Sequence, residues 1–461
     1  MKESLLKNTG ELTQKIVSFA RNTAFSDLPT HLVDHSKLVL LDTLGAMLAA
    51  SSPRYPAGKI LVDFVKNLGG REESSIIGYG FKSSCINAAI VNGTFGYYCD
   101  IEAHHPEAVV HPAATIAPTS LAVGERQKAD GKEFLLSFIL GTDMDCRVSM
   151  ALNPRILYDR GFHPSCVAGS IGAAVAAGRL FQLGFDEFPI ALGLAAQQTS
   201  GLLAWKEDFS ENSRPFNHSI AARNGITAAF LAKLGFGGPP DIFEGRYHIF
   251  RAFSEEGDWN ADHLTRNLGK DFSIMDLAFK KYSCCAFLHP GLDALLHIME
   301  TQHLNSSDIE EMVLRFPKNG TELIDGTDLR SHSAQYILPV AAVTRQIMID
   351  DILYDQTVEP EVKRLVERMV VVGDEILDQV FPERYASIVE LTTVDGKRFT
   401  ERVDYAAGTP QNPFTQRDIE EKFYQLCNPI LDLSTTKKIM NLVENIEQVE
   451  DINGLGDLLR K

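Results

Sequence analysis

The sequence predicts a mainly α fold: a large all-helical domain made from both chain ends (residues 1–271, completed by 404–461) with a smaller α+β domain inserted at 272–403. Three observations predict it. Long apolar runs rich in Ala and Gly fill the first 270 residues, as in helices that bury most of their surface against one another. After about residue 272 short runs mix apolar and charged residues, and Asp395-Gly396 sits between two β-rich runs, a hairpin signal. Helix-like sequence returns behind Asn412-Pro413-Phe414-Thr415, where Thr415 and Asp418 stand at capping-box spacing.

The elements follow in order. Residues 38–50 are apolar nearly all round, with Asp42 and Gly45 inside, which suits a helix buried in a bundle. Residues 167–183 are dominated by small residues that let helices approach closely, with Gly184 as the expected stop. Residues 220–234 repeat the style and end at Gly235. Residues 309–316 read as a strand or a short helix ending at Pro317, and 358–371 as a helix with Pro360 near its start. Residues 387–393 and 398–403 are the two arms of the Asp-Gly hairpin.

Composition excludes several function classes. A formal net charge of −17 argues against nucleic acid or an anionic membrane as partner. An anionic substrate would need a local cluster of cations to overcome that field. No apolar stretch is long enough to span a bilayer, and the N-terminus lacks the pattern of a secretory signal. Seven cysteines, an odd count without a metal-like CxxC pair, suggest a reduced, cytoplasmic protein. There is no phosphate-cradling Gly-rich loop with Lys-Ser/Thr and no GxSxG elbow, which weakens nucleotide-dependent and α/β-hydrolase readings.

Four histidines are each followed by proline: His105, His111, His163 and His289. With 13 His and 20 Pro in 461 residues, a random order would give about one such pair or fewer. Helix-like runs follow three of them, so those rings are expected at or beside helix N-caps, where backbone N–H groups favour anions. The densest polar cluster is Tyr97 to Pro112, which holds Asp100, Glu102, His104, His105, Glu107 and His111. It reads as an acid/base loop or as a metal site made of Asp100, His104, His105 and His111. The spacing matches no standard zinc signature, so the metal reading stands second. For His104 and Glu107 a solvated loop is the plain structural expectation. Arg214, before Pro215, is expected to be extended, with a guanidinium able to grip a carboxylate. Lys280 precedes the His289-Pro290 segment at the domain boundary, and Tyr336 lies on an apolar run.

These segments, in this order, resemble the MmgE/PrpD superfamily, whose members include 2-methylcitrate dehydratases, cis-aconitate decarboxylases and iminodisuccinate epimerases. The resemblance runs from Leu41-Asp-Thr-Leu-Gly through Asn92-Gly-Thr, Asp100 with His111-Pro, Gly161-Phe-His-Pro, Ala221-Ala-Arg-Asn-Gly, Phe279-Lys280, His289-Pro and Ala334-Gln-Tyr336 to Asn412-Pro-Phe-Thr. It implies a helical domain with an α+β lid, a homodimer, and a cofactor-independent pocket for small di- or tricarboxylates. It implies Asp100, His111, His163, Lys280 and Tyr336 as catalytic residues; beside them Arg214, His104, His105 and His289 are expected from the residues themselves to bind substrate. Arg214 and Asp100-Ile-Glu-Ala-His-His depart from the family's usual Lys-Pro-Leu-His and Asp-Phe-Asp-Asp. The expected reaction is dehydration of a β-hydroxy acid. Decarboxylation and epimerisation share its carbanion-like intermediate, and a non-catalytic carboxylate-binding homologue is the alternative from another class.

Overall fold

The run at 38–50 forms the inner part of the Thr30–Ala50 helix, and its buried side chains cover every face from Val39 onward. Asp42 is buried there at 1% exposure, and such a charge needs partners. It finds Lys422 from the Gln416–Cys427 helix, Nζ to Oδ1 at 2.5 Å, and the backbone N–H of Ala103 at 3.0 Å. One carboxylate thus ties the C-terminal helices and the 99–111 loop to the first half of the chain. The capping box of Thr415 and Asp418 starts that C-terminal helix as its sequence predicts.

The computed structural model describes residues 5–353 and 359–460. The helices Cys85–Tyr98, Pro112–Gln127 and Gly131–Leu152 pack against Thr30–Ala50, and behind them Pro164–Leu180 and Ser213–Lys233 pack against each other and against those three. Small residues set how closely they cross: a Cβ on Gly225 would lie 2.4 Å from the Cβ of Ala173 in the facing helix. One apolar cluster joins these helices to the chain end, from Ile16 to Leu459, and a second holds Tyr282 to Leu391. The segment 272–279, assigned from sequence to the inserted part, packs with the first cluster through Phe272, Ile274, Leu277 and Phe279.

The chain is mainly helical with small sheets, but the first part is not wholly so. A two-stranded ribbon, β1 (Ser74–Ser75) and β2 (Lys82–Ser83), pairs antiparallel within it. The second part carries a four-stranded sheet in the order β4-β3-β5-β6: Met369–Asp374, Ile309–Pro317, Ser387–Thr393 and Arg398–Val403. β3 pairs parallel with β4 and antiparallel with β5, and the β5–β6 hairpin turns at Asp395-Gly396 as predicted.

Three local expectations fail, each for a physical reason. The helix expected over 358–371 runs only over Pro360–Val366, and Val358 lies outside the described residues. Met369 to Val372 instead join β3, because β-branched residues beside a free strand edge gain a hydrogen-bond ladder. The helix before Gly184 ends at Leu180, and the left-handed residue behind it is Gln182, at φ 54°. Arg214 is not extended: Pro215 sits in the first turn of Ser213–Lys233, where its missing N–H is no loss. No helix of the described residues is long and apolar enough to cross a membrane. All seven cysteines are free thiols and buried.

Candidate active site

The Cys85–Tyr98 helix delivers the site. Its last turn carries Tyr97, and Asp100 then turns the chain with φ at 50°, a conformation that Asp tolerates better than most residues. The following loop is no solvated excursion. Residues 101–105 are all buried, Lys422 donates to the carbonyl of Ile101 at 2.6 Å, and His104 bridges to Ala278. Glu107 alone of its acids is exposed. Val109, also at positive φ, returns the chain to His111, which caps the Pro112–Gln127 helix. His163 caps Pro164–Leu180 in the same way, and Ser165 beside it accepts the His111 N–H at 3.3 Å. The two His-Pro helix starts are therefore held together.

Asp100, His104, His111 and Lys280 line one small cavity of about 40 Å³, with Tyr97, Tyr158, Trp205, Phe287, His332 and Tyr385 among its walls. That is room for about one water molecule. Val109, Tyr158, Phe287 and Leu323 separate it from an outer groove of about 860 Å³. Asp100 Oδ1 pairs with Lys280 Nζ, which also donates to the Asp100 carbonyl at 3.2 Å, and Asp100 Oδ2 lies 3.5 Å from Arg214 Nη1. All three side chains are 1% exposed. Arg214 also lies 4.3 Å above the Tyr97 ring and pairs with Glu211 at 3.3 Å. Tyr97 is the hub, with its ring centroid 4.3 Å from His111, 4.4 Å from His218 and 6.4 Å from His163.

The charges are arranged by burial and by these neighbours. Burial alone would raise the Asp100 carboxyl, but Lys280 and Arg214 hold it well below the usual carboxylate range. Burial pushes Glu102 up to about 7 despite Lys280. Glu102 Oε1 is 2.7 Å from His111 Nδ1, close enough for the two groups to titrate together although neither atom makes a hydrogen bond among the described residues, and the Glu102 carboxyl keeps its proton up to about neutral pH. Burial, then Lys280, keeps His104 and His111 well below the imidazole range. Burial, then Arg214, takes His163 and His332 down to about 3. The rings are neutral around two fixed cations.

Polar atoms of Asp100 (Oδ2), Glu102 (Oε1 and Oε2), His104 (Nδ1), His111 (Nδ1), His218 (Nε2) and Arg214 (Nε and Nη1) are buried and make no hydrogen bond among the described residues. Orphaned polar atoms cost stability; those of Asp100, His104 and His111 belong to residues of the cavity wall, where a polar ligand could satisfy them, and those of Glu102, His218 and Arg214 lie behind it. Asp100, Glu102 and His111 each offer one ligand atom within 4.8 Å of the others, a geometry open to a metal ion. Its donors do not fit one. Both Asp100 oxygens already face Lys280 and Arg214, and a divalent cation would sit beside two fixed positive charges.

The remaining residues marked from sequence fall in different places. His163 stacks in the Tyr97 cluster and packs edge-on to Trp205. His289 lines a small cavity beside His104 and Tyr385, on the far side of that ring. His105 turns away: its Nδ1 accepts the Ala108 N–H at 3.0 Å, and it lines a separate groove with Arg147 and Lys270. Tyr336 donates to the carbonyl of Asp351 at 2.8 Å, packs against the second apolar cluster, and is absent from the cavity wall. Sequence reading kept Glu102 within the polar cluster without giving it a role, and passed over Tyr158, Trp205, His218, His332 and Tyr385. Only His218 carried a local signal, four residues after Arg214 on one helix face.

Comparison with known proteins completes the description. The MmgE/PrpD N-terminal domain matches residues 14–262 and the MmgE/PrpD C-terminal domain residues 282–448. A cis-aconitate decarboxylase of Aspergillus terreus is 26% identical over 473 residues, covering 97% of this chain and 96% of its own. That of Homo sapiens is 26% identical over 470 residues, with 97% and 94% covered, and that of Mus musculus 24% over 467, with 97% and 93%.

Proposed function

The chain belongs to the MmgE/PrpD family, and from that premise we propose that it is a lyase for a small di- or tricarboxylate that moves protons with its own side chains. The observation that carries this is the set of buried, unpartnered polar atoms in and behind a cavity lined by Lys280, His104, His111 and His332, with Arg214 paired to Asp100 at its back. Arg214 stays charged at any working pH, so it binds a carboxylate and gives no proton. Lys280, held charged by Asp100, is the second anion contact. Together they stabilise negative charge that builds on a carboxylate as a bond next to it breaks. The Glu102–His111 pair supplies the proton, since it holds one near neutral pH.

The relatives named for cis-aconitate decarboxylation put that reaction first among those to be expected. The electron pair of the C–CO₂ bond becomes a new double bond, and CO₂ leaves. The old double-bond pair takes the proton of the Glu102–His111 pair, which recovers one from solvent. Dehydration, the reaction first suggested by the residues, uses the same cations and a similar intermediate. The cavity is tight for a tricarboxylate, and Cys285, Ala286, Phe287, His332 and Tyr385 of its wall come from the inserted part, whose outward movement would admit one. The inserted part is then a lid.

The test is to incubate the protein with cis-aconitate, citrate-like hydroxy acids and amino-dicarboxylates and follow products by NMR. Loss of CO₂ or water from one of them is expected. Thermal stabilisation by these compounds without turnover of any would replace the lyase with a carboxylate-binding protein.

A further inference from the structure

We infer that His332 is a second proton-transfer residue of this site, a base set against the Glu102–His111 acid, with Ser331 and Glu211 fixing its tautomer. This rests on the lyase reading. His332 ends the short turn Arg330–His332, is 3% exposed, and lines the cavity with Asp100, His111 and Lys280. Its Nδ1 is 2.7 Å from Ser331 Oγ. That hydroxyl donates its single proton to Glu211 Oε2 at 3.0 Å, while the Ser331 N–H donates to Glu211 Oε1 at 3.1 Å. Glu211 Oε2 also accepts from Arg214 at 3.3 Å, which keeps the carboxylate an acceptor.

A hydroxyl that has given its proton away can only accept from the ring. His332 therefore carries hydrogen on Nδ1, which leaves the Nε2 lone pair as its basic atom. Trp205 steadies the ring edge, 5.4 Å away. Glu211 is held at φ 57°, a strained conformation for glutamate, and is 4% exposed. Glu211 and Arg214 stand at the start of the Ser213–Lys233 helix, whereas Ser331 and His332 come from the inserted part, so the relay forms only when the two are docked.

A base opposite an acid gives the site a proton abstraction that decarboxylation alone does not need. On a hydroxy tricarboxylate, Nε2 takes the proton from the carbon beside a carboxylate, and the C–H pair becomes the double bond. The C–O pair leaves with the hydroxyl, which takes the proton of the Glu102–His111 pair and departs as water. Both groups regain their starting states through solvent.

The test follows exchange of the carbon-bound hydrogens of citrate in D₂O by NMR, with citrate affinity measured alongside. Wild type is expected to exchange them. His332→Gln is expected to lower the rate at least a hundredfold with affinity within about threefold, because its amide cannot act as a base. Ser331→Ala, which frees the tautomer, is expected to lower the rate about tenfold and move its acid limb. A His332→Gln rate above a third of wild type overturns the assignment. Should that variant fail to fold, an unchanged rate and pH profile in Ser331→Ala overturns it. A wild type that binds none of the carboxylates removes the lyase reading and this base together, which is a different result from exchange that survives in the variant.

Discussion

Replacing Asp100 by Asn removes one charge from a buried group of three and leaves Lys280 and Arg214 facing each other. Asn suits the left-handed backbone that Asp100 adopts, so the change is electrostatic and not conformational. The Arg214–Asp100 separation is 3.5 Å. At an effective dielectric of about 20 a pair at that separation is worth roughly 5 kcal/mol before desolvation, and the Lys280 contact is closer still. Regained solvation of the lost carboxylate and the nearby Glu211 offset part of this. The expected net loss is about 3–5 kcal/mol, as for other broken buried pairs. Urea unfolding at pH 7, followed by far-UV circular dichroism with and without citrate, reads it. The two unmatched cations should also draw citrate in. At a hundredfold excess over Kd a ligand returns about 2.7 kcal/mol, so citrate should restore more of the variant's stability than it adds to wild type. A loss below about 1 kcal/mol at unchanged slope, or equal citrate stabilisation of both proteins, would refute the charge arrangement.

Three further outcomes follow from the same structure. Glu102→Gln should abolish the fall of activity above about pH 7, since the proton lost there belongs to the Glu102–His111 pair, and a surviving limb assigns that proton elsewhere. His104→Gln should lower kcat at least tenfold while His105→Gln leaves it within about twofold, because the adjacent rings face different cavities, and equal effects would contradict the placement. Asp145 is fully buried, neither oxygen makes a hydrogen bond among the described residues, and burial holds its pKa well above the ordinary value. The unfolded state therefore releases this proton first as pH rises, and wild-type stability falls by about 1.4 kcal/mol per pH unit above the ordinary carboxylate pKa until the folded group ionises. Asp145→Asn lacks that loss, so its stability relative to wild type should grow from pH 4 to pH 7, whereas parallel curves would show that Asp145 ionises normally.

Local pattern made part of this site legible and tertiary packing hid the rest. The Tyr97–Pro112 loop stood out because its polar residues are contiguous between apolar runs, and Asp100, His104 and His111 do meet in one cavity. His111 and His163 were marked by the prolines behind them, and those prolines do start helices. His332 and Tyr385 had no such mark, since only the folding of the second apolar cluster brings them to the cavity. His105 shares the polar cluster of His104 and carries a proline mark that His104 lacks, yet backbone alternation turns it away. Tyr336 was marked by resemblance, and its hydroxyl meets the carbonyl of Asp351. In the fold, the helix expected over 358–371 broke where Met369 found the edge of β3, a partner 57 residues earlier in the chain at Met312.

The central claim is that one buried pocket handles carboxylates and protons together. Glu102, which burial raises to about 7, should gain a proton when a tricarboxylate enters, because the added negative charge raises its pKa further. Calorimetric titration of citrate at pH 7.5 in buffers of different ionisation enthalpy measures this directly. The account predicts uptake of up to about one proton per citrate bound. Binding with no proton uptake, or with release, would contradict it.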